Sequence, residues 1–128
     1  AFWPGPLTLV FDRPAALLEH ASPTDTIAVR QPDHTPTLSV ISLLERPLAM
    51  ARFDDLPDHS TVDELAEHLA DAVDLIVAFD NGPVAADESG APSSVVDLTG
   101  GEPRLSRAGA INLARLREIV EAIEEAER

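Results

Sequence analysis

The sequence predicts an α+β fold, a single layered domain whose sheet is covered by helices. Two observations carry this. Short β-branched runs alternate with segments of helical periodicity, and a double glycine separates two apolar runs late in the chain. A chain of 128 residues that is 45% hydrophobic is long enough to bury one core.

In order, residues 7–11 (Leu-Thr-Leu-Val-Phe) read as a buried strand. Residues 13–24 hold Pro14 and Pro23 and read as connecting structure. Thr26-Ile27-Ala28-Val29-Arg30 reads as a second strand ended by Pro32. Residues 34–46 place Leu38, Ile41 and Leu44 at helical spacing, with Val40 and Leu43 widening the stripe. Residues 47–50 are expected to form a short strand.

Thr61-Val62-Asp63-Glu64 has the form of a capping box, a hydroxyl followed three residues later by a carboxylate. The helix it opens buries Val62, Leu65, Ala66, Leu69 and Val73. Residues 75–79 read as a strand and residues 81–92 as a loop. Gly100-Gly101 between residues 94–99 and 103–106 marks a hairpin. Asn112 caps a last helix with Leu113, Leu116, Ile119, Val120 and Ile123 on its buried face. Its end, residues 121–127, is acidic where the helix dipole prefers cations, so fraying is expected.

Composition narrows the function. Net charge is −14, and all nine basic residues are Arg, with no Lys. Such a balance opposes nonspecific nucleic-acid binding and an anionic membrane surface. No apolar run spans a bilayer, no leader pattern is present and there is no Cys. The default location is cytoplasmic. Walker, dinucleotide, zinc and nucleophile-elbow motifs are absent. Glu64 and His68, with Asp63 and Glu67, are read as a solvated helix face because no second cluster converges on them. Asp54, Asp55 and Asp58 are read as a polar turn, and no metal site is expected.

Several phrases occur in a telling order. The chain opens on Phe2-Trp3-Pro4-Gly5-Pro6-Leu7-Thr8. Thr26 to His34 follows, then Pro47-Leu48-Ala49-Met50, Ser93-Ser94-Val95-Val96-Asp97 and Arg104-Leu105-Ser106-Arg107-Ala108-Gly109-Ala110-Ile111. Taken together they resemble the YrdC-like family, the threonylcarbamoyl-AMP synthases. The resemblance implies a twisted mixed sheet with a concave site, covering residues 1–128 as the C-terminal portion of one such domain, incomplete at its N-terminus. It also implies a reaction: ATP, threonine and bicarbonate give threonylcarbamoyl-AMP for tRNA threonylcarbamoyladenosine modification, with Mg2+ accompanying ATP.

Matched position by position, the resemblance puts Thr26, Ser60 and Arg107 on the nucleotide and Arg30, Met50 and Ser93 on threonine. An Arg fork suits carboxylate or phosphate, and a hydroxyl can both donate and accept. Catalysis would rest on positioning and charge stabilisation. Read without the resemblance, Arg30 pairs with a carboxylate such as Asp33, Ser93 and Ser94 shape a turn, and Thr26 is a plain strand residue.

Two departures bear on activity. The family's Ser-Ala-Asn motif falls on Arg52-Phe53-Asp54, and Asp54 adds negative charge where phosphates would lie. The family's Lys-x-Arg clamp has no counterpart here. The isolated chain is therefore expected not to synthesise threonylcarbamoyl-AMP. Two further readings remain open. One is a non-catalytic module for a nucleotide, amino acid or RNA end; the other is a structural or regulatory domain without a small ligand. An exposed sheet edge makes a homodimer expected, and proteins of tRNA modification are the expected partners.

Overall fold

Five strands and three helices are present among residues 1–14, 22, 24–50, 61–77 and 91–126, which the computed structural model describes. The elements are β1 (Leu7–Asp12), β2 (Thr26–Arg30), α1 (Thr35–Leu44), α2 (Val62–Leu69), β3 (Ser94–Asp97), β4 (Arg104–Arg107), α3 (Leu113–Arg117) and β5 (Glu124–Glu125). The strands form one mixed sheet in the order β2-β1-β3-β4-β5. β1 pairs antiparallel with β2 and parallel with β3; β4 is antiparallel to β3 and parallel to β5.

Alternation along the strands sorts side chains onto two faces. One face carries Leu7, Val96 and Leu105, buried together with Ile111, Leu116 and Ile123; Phe2, Trp3, Leu9, Leu98 and Leu113 pack around them. The other face carries none of these six. Burying a Leu or Ile side chain contributes about 1.5–3 kcal/mol, so this one-sided cluster fixes which face stays open.

The opening phrase is tied to the sheet through polar groups. Gly5 N–H donates to the Gln31 carbonyl at 2.9 Å, and the Trp3 indole donates to the Leu7 carbonyl at 2.7 Å. The Trp3–Pro4 peptide is cis. At the centre, Ser94 is fully buried, with 0% exposure. Its N–H donates to the Pro6 carbonyl at 3.0 Å. Its hydroxyl donates to the Ile111 carbonyl at 2.6 Å and accepts from Ile111 N–H at 2.9 Å. Gly109 permits this closure, because a Cβ there would stand 2.3 Å from the Pro92 carbonyl oxygen.

Most expected elements form. β2 and the hairpin lie where the residues place them, and the capping box closes: Thr61 Oγ1 accepts from Glu64 N–H while Glu64 accepts from Thr61 N–H at 2.7 Å. Residues 47–50 and 75–77 are not strands, because an apolar run becomes a strand only where a ladder partner meets it. Residues 78–90 lie outside the described residues. The last helix stops at Arg117. In place of a frayed helical end, Glu124 N–H donates to the Pro103 carbonyl at 3.2 Å and Ala126 N–H to Leu105 at 3.0 Å. Ile123, just before β5, is buried in the core cluster, whereas Ile119 is 60% exposed. Among the described helices, only α3 contributes a buried residue, Leu116; α1 and α2 bury none.

Replacing Ser94 by Ala orphans a buried donor and acceptor of Ile111. At about 1–3 kcal/mol per orphaned group, the variant is expected to lose about 2–4 kcal/mol in urea unfolding. A loss under about 0.5 kcal/mol, typical of a neutral surface change, would contradict the closure described.

Candidate ligand-binding face

The open face is built by register. Arg30 on β2 lies opposite Thr8 on β1, Thr8 opposite Val95 on β3, and Val95 opposite Arg107 on β4. At about 4.8 Å per strand, Arg30 and Arg107 stand about 14 Å apart with polar groups between them. A bulge helps aim Arg107. The partner of β3 steps from Leu105 to Arg107 between Val96 and Val95, leaving Ser106 as the extra residue.

Ser93 is the meeting point. Its hydroxyl lies 2.8 Å from Thr8 Oγ1. Arg107 donates from Nε at 3.1 Å and Nη2 at 2.9 Å to the Ser93 carbonyl, and from Nη2 to the Ser93 hydroxyl at 3.1 Å. Arg107 is thus half-buried against Ser93 rather than reaching freely outward. Arg30 donates from Nε to the Gly5 carbonyl at 3.0 Å. Among the described residues no carboxylate is within ion-pair distance of Arg30 or Arg107, so the pairing of Arg30 with Asp33 does not occur. Both guanidiniums keep terminal N–H groups for a ligand.

The other candidates lie apart. Thr26 shares the face but sits four residues along β2 from Arg30, about 13 Å away at the strand rise. Its hydroxyl is 3.0 Å from that of Thr24. A ligand touching both Thr26 and Arg107 would lie diagonally across the sheet. Met50 is 81% exposed in the segment after α1, outside this row. Ser60, Arg52 and Asp54 lie outside the described residues. Thr8 was not among the sequence candidates; its signal is a single hydroxyl in an otherwise apolar strand. Ser94 serves the fold by tying β3 to Ile111 rather than by shaping a local turn.

At the far end of the face, Asp97 accepts from Thr99 N–H at 2.9 Å and from Thr99 Oγ1 at 2.8 Å. These bonds, the backbone one foremost, hold its carboxyl below the usual aspartate range, with Arg104 adding a smaller attraction. Among the described residues no group of three or more His, Cys, Asp or Glu side chains is placed to hold a metal, and no helix is long and apolar enough to cross a membrane. A shallow hollow of about 390 Å³ lies elsewhere, lined by residues including Phe2, Pro6, Ile111 and Arg115. It contains none of the row.

A mixed sheet with one buried face and one open face of arginine and hydroxyl donors defines an α+β domain suited to an oxygen-rich ligand. The chain belongs to the Sua5/YciO/YrdC family, whose model, described as telomere recombination, matches residues 1–109. It is 34% identical over 122 residues to a threonylcarbamoyl-AMP synthase of Pyrococcus abyssi, covering 93% of this chain and 34% of that protein. It is 32% identical over 123 residues to a putative threonylcarbamoyl-AMP synthase of Mycobacterium leprae, covering 94% and 53%. The crystal structure of P. abyssi Sua5 complexed with L-threonine superposes with a TM-score of 0.77 at 32% identity, covering 98% of this chain and 36% of that one. The chain thus spans 34% to 53% of the length of these curated relatives.

Asp97 yields a pH prediction. A carboxyl whose folded pKa lies below its unfolded one stabilises the fold fully above about pH 4 and loses that contribution as pH falls through the folded value. Thr99→Val removes the hydroxyl donor. The variant is expected to be less stable than wild type at pH 6 and to converge with it at pH 2, by circular dichroism in urea. An equal deficit at both pH values would show that Thr99 acts through packing.

Proposed function

We propose that this chain carries the threonine-facing and nucleotide-facing sheet of a threonylcarbamoyl-AMP synthase, and that in isolation it binds without completing the reaction. The observation that carries this reading is the row Arg30, Thr8, Ser93 and Arg107 on the open face. In this reading Arg30 offers its terminal N–H pair to the L-threonine carboxylate, a charge-assisted fork, and the Gly5 carbonyl holds its Nε so that the fork is aimed. Ser93 supplies a hydroxyl to the amino acid. Arg107, anchored on Ser93, keeps Nη1 for a phosphate oxygen, and Thr26 meets the nucleotide at its other end. Met50 and Ser60 join the threonine and nucleotide sides.

ATP would bring its Mg2+ as a phosphate complex. Bicarbonate would be the third substrate, and tRNA threonylcarbamoyladenosine the destination of the product. The absence of Lys from the chain, with Arg52 and Asp54 where the family's Ser-Ala-Asn motif falls, supports binding without turnover. The face also carries Asp12 and Asp97 among Arg30, Arg104 and Arg107. Interleaved acids favour a small ligand over a nucleic-acid backbone.

Calorimetry with L-threonine and with Mg-ATP tests the reading. Binding of L-threonine is expected, together with at least about a tenfold loss in Arg30→Ala, since one hydrogen bond to a charged group is worth about 1.5–3 kcal/mol. Threonine- and bicarbonate-dependent release of pyrophosphate is expected to be absent. Turnover by the isolated chain would contradict the binding-only proposal; no binding of either ligand would favour a structural domain.

A further inference from the structure

We infer that Thr8 is a positioning residue: its hydroxyl donates to Ser93, fills the last acceptor site there, and makes Ser93 a one-way donor to the ligand. The inference rests on the reading that Ser93 serves L-threonine. It follows from counting protons and lone pairs at three atoms.

Arg107 Nη2 can only donate, so at 3.1 Å it occupies one lone pair of Ser93 Oγ. The 2.8 Å bond between Thr8 Oγ1 and Ser93 Oγ uses one of the two hydroxyl protons. Two arrangements satisfy this. If Ser93 donates to Thr8, Ser93 keeps a free lone pair and has no proton left for a ligand. If Thr8 donates to Ser93, both Ser93 lone pairs are filled and its proton points to whatever lies on the open face.

A ligand acceptor oxygen selects the second arrangement. Each bond in the chain Thr8 O–H to Ser93 O–H to ligand oxygen then polarises the next, and the Arg107 cation beside Ser93 strengthens its donation. The row therefore offers donors at three points: the Arg30 fork, the Ser93 hydroxyl and Arg107 Nη1. The chemical class in this arrangement is an amino acid presenting an acceptor oxygen of its carboxylate to Ser93; an ammonium group there would instead require the first arrangement, with Ser93 donating to Thr8. Ser93 is only 7% exposed, so water competes poorly for that proton. The β1–β3 register holds Thr8 beside Ser93 independently of any ligand.

The test is calorimetric titration of L-threonine into the wild-type chain and into Thr8→Val, Thr8→Ser, Ser93→Ala and the Thr8→Val/Ser93→Ala double variant, with thermal unfolding of each. Thr8→Val keeps the side-chain shape and leaves Ser93 its Arg107 partner, so the melting temperature should stay near that of wild type. Affinity for L-threonine is expected to fall about fivefold to tenfold in Thr8→Val and to return in Thr8→Ser. The double variant should bind no more weakly than Ser93→Ala. Equal affinity of wild type and Thr8→Val, or additive losses in the double variant, would overturn the role of Thr8 while leaving threonine binding intact. No binding by wild type would instead overturn the threonine reading and this inference with it. Wild-type affinity in Ser93→Ala would overturn the assignment of Ser93 and, through it, the role of Thr8.

Discussion

The parallel pairing of β1 with β3 is the constraint on which the other features depend. Strands distant in sequence are joined by Ser94 N–H to the Pro6 carbonyl and Leu98 N–H to the Val10 carbonyl, at 3.0 and 2.9 Å. A parallel pair cannot be closed by a tight turn, so its register must be set by tertiary contacts. Here Ser94 sets it. One buried hydroxyl ties β3 to Ile111, and the same residue's amide ties it to β1. With that register fixed, Thr8 falls beside Ser93, Leu7 and Val96 fall in the core, and the polar row falls on the opposite face.

The opening phrase gains a physical meaning from this. Successive carbonyls do different work: Gly5 accepts from Arg30, Pro6 from Ser94 and Leu7 from the Trp3 indole. The phrase thus ties β1 to one residue of each neighbouring strand, Arg30 of β2 and Ser94 of β3. Proline at positions 4 and 6 suits this use, because the carbonyls are engaged and no N–H is required there.

Much of this was legible in the residues and some was not. β-branched runs with a double glycine between them specify the hairpin locally, and the Thr61 capping box specifies the start of α2 locally; both form. The end of the chain misleads because Leu113, Leu116, Val120 and Ile123 have helical spacing, while Glu124 and Glu125 pair with β4 and Ile123, just before them, joins the core cluster. Periodicity reports which residues seek burial, and the ladder that satisfies them is a nonlocal matter. The site divides in the same way. Arg30, Ser93 and Arg107 were visible as residue types in family phrases, and the structure gathers them. Thr8 was invisible because a hydroxyl within an apolar strand is ordinary until a second hydroxyl is found 2.8 Å away. Two nitrogens of Arg107 hold Ser93, so that guanidinium is tied to the end of β3 and keeps only Nη1 unengaged among the described residues.

In a chain of net charge −14, Arg30 and Arg107 are electrostatically conspicuous on one face, because among the described residues neither has a carboxylate within ion-pair distance. In the proposed function this face, and not the hollow beside α3, receives the ligand. Amide chemical-shift mapping by NMR during titration with L-threonine tests it most directly. Shifts are expected to concentrate at Thr8, Arg30, Ser93, Val95 and Arg107. Shifts confined to Phe2, Ile111, Asn112 and Arg115, or none at saturating L-threonine, would contradict it.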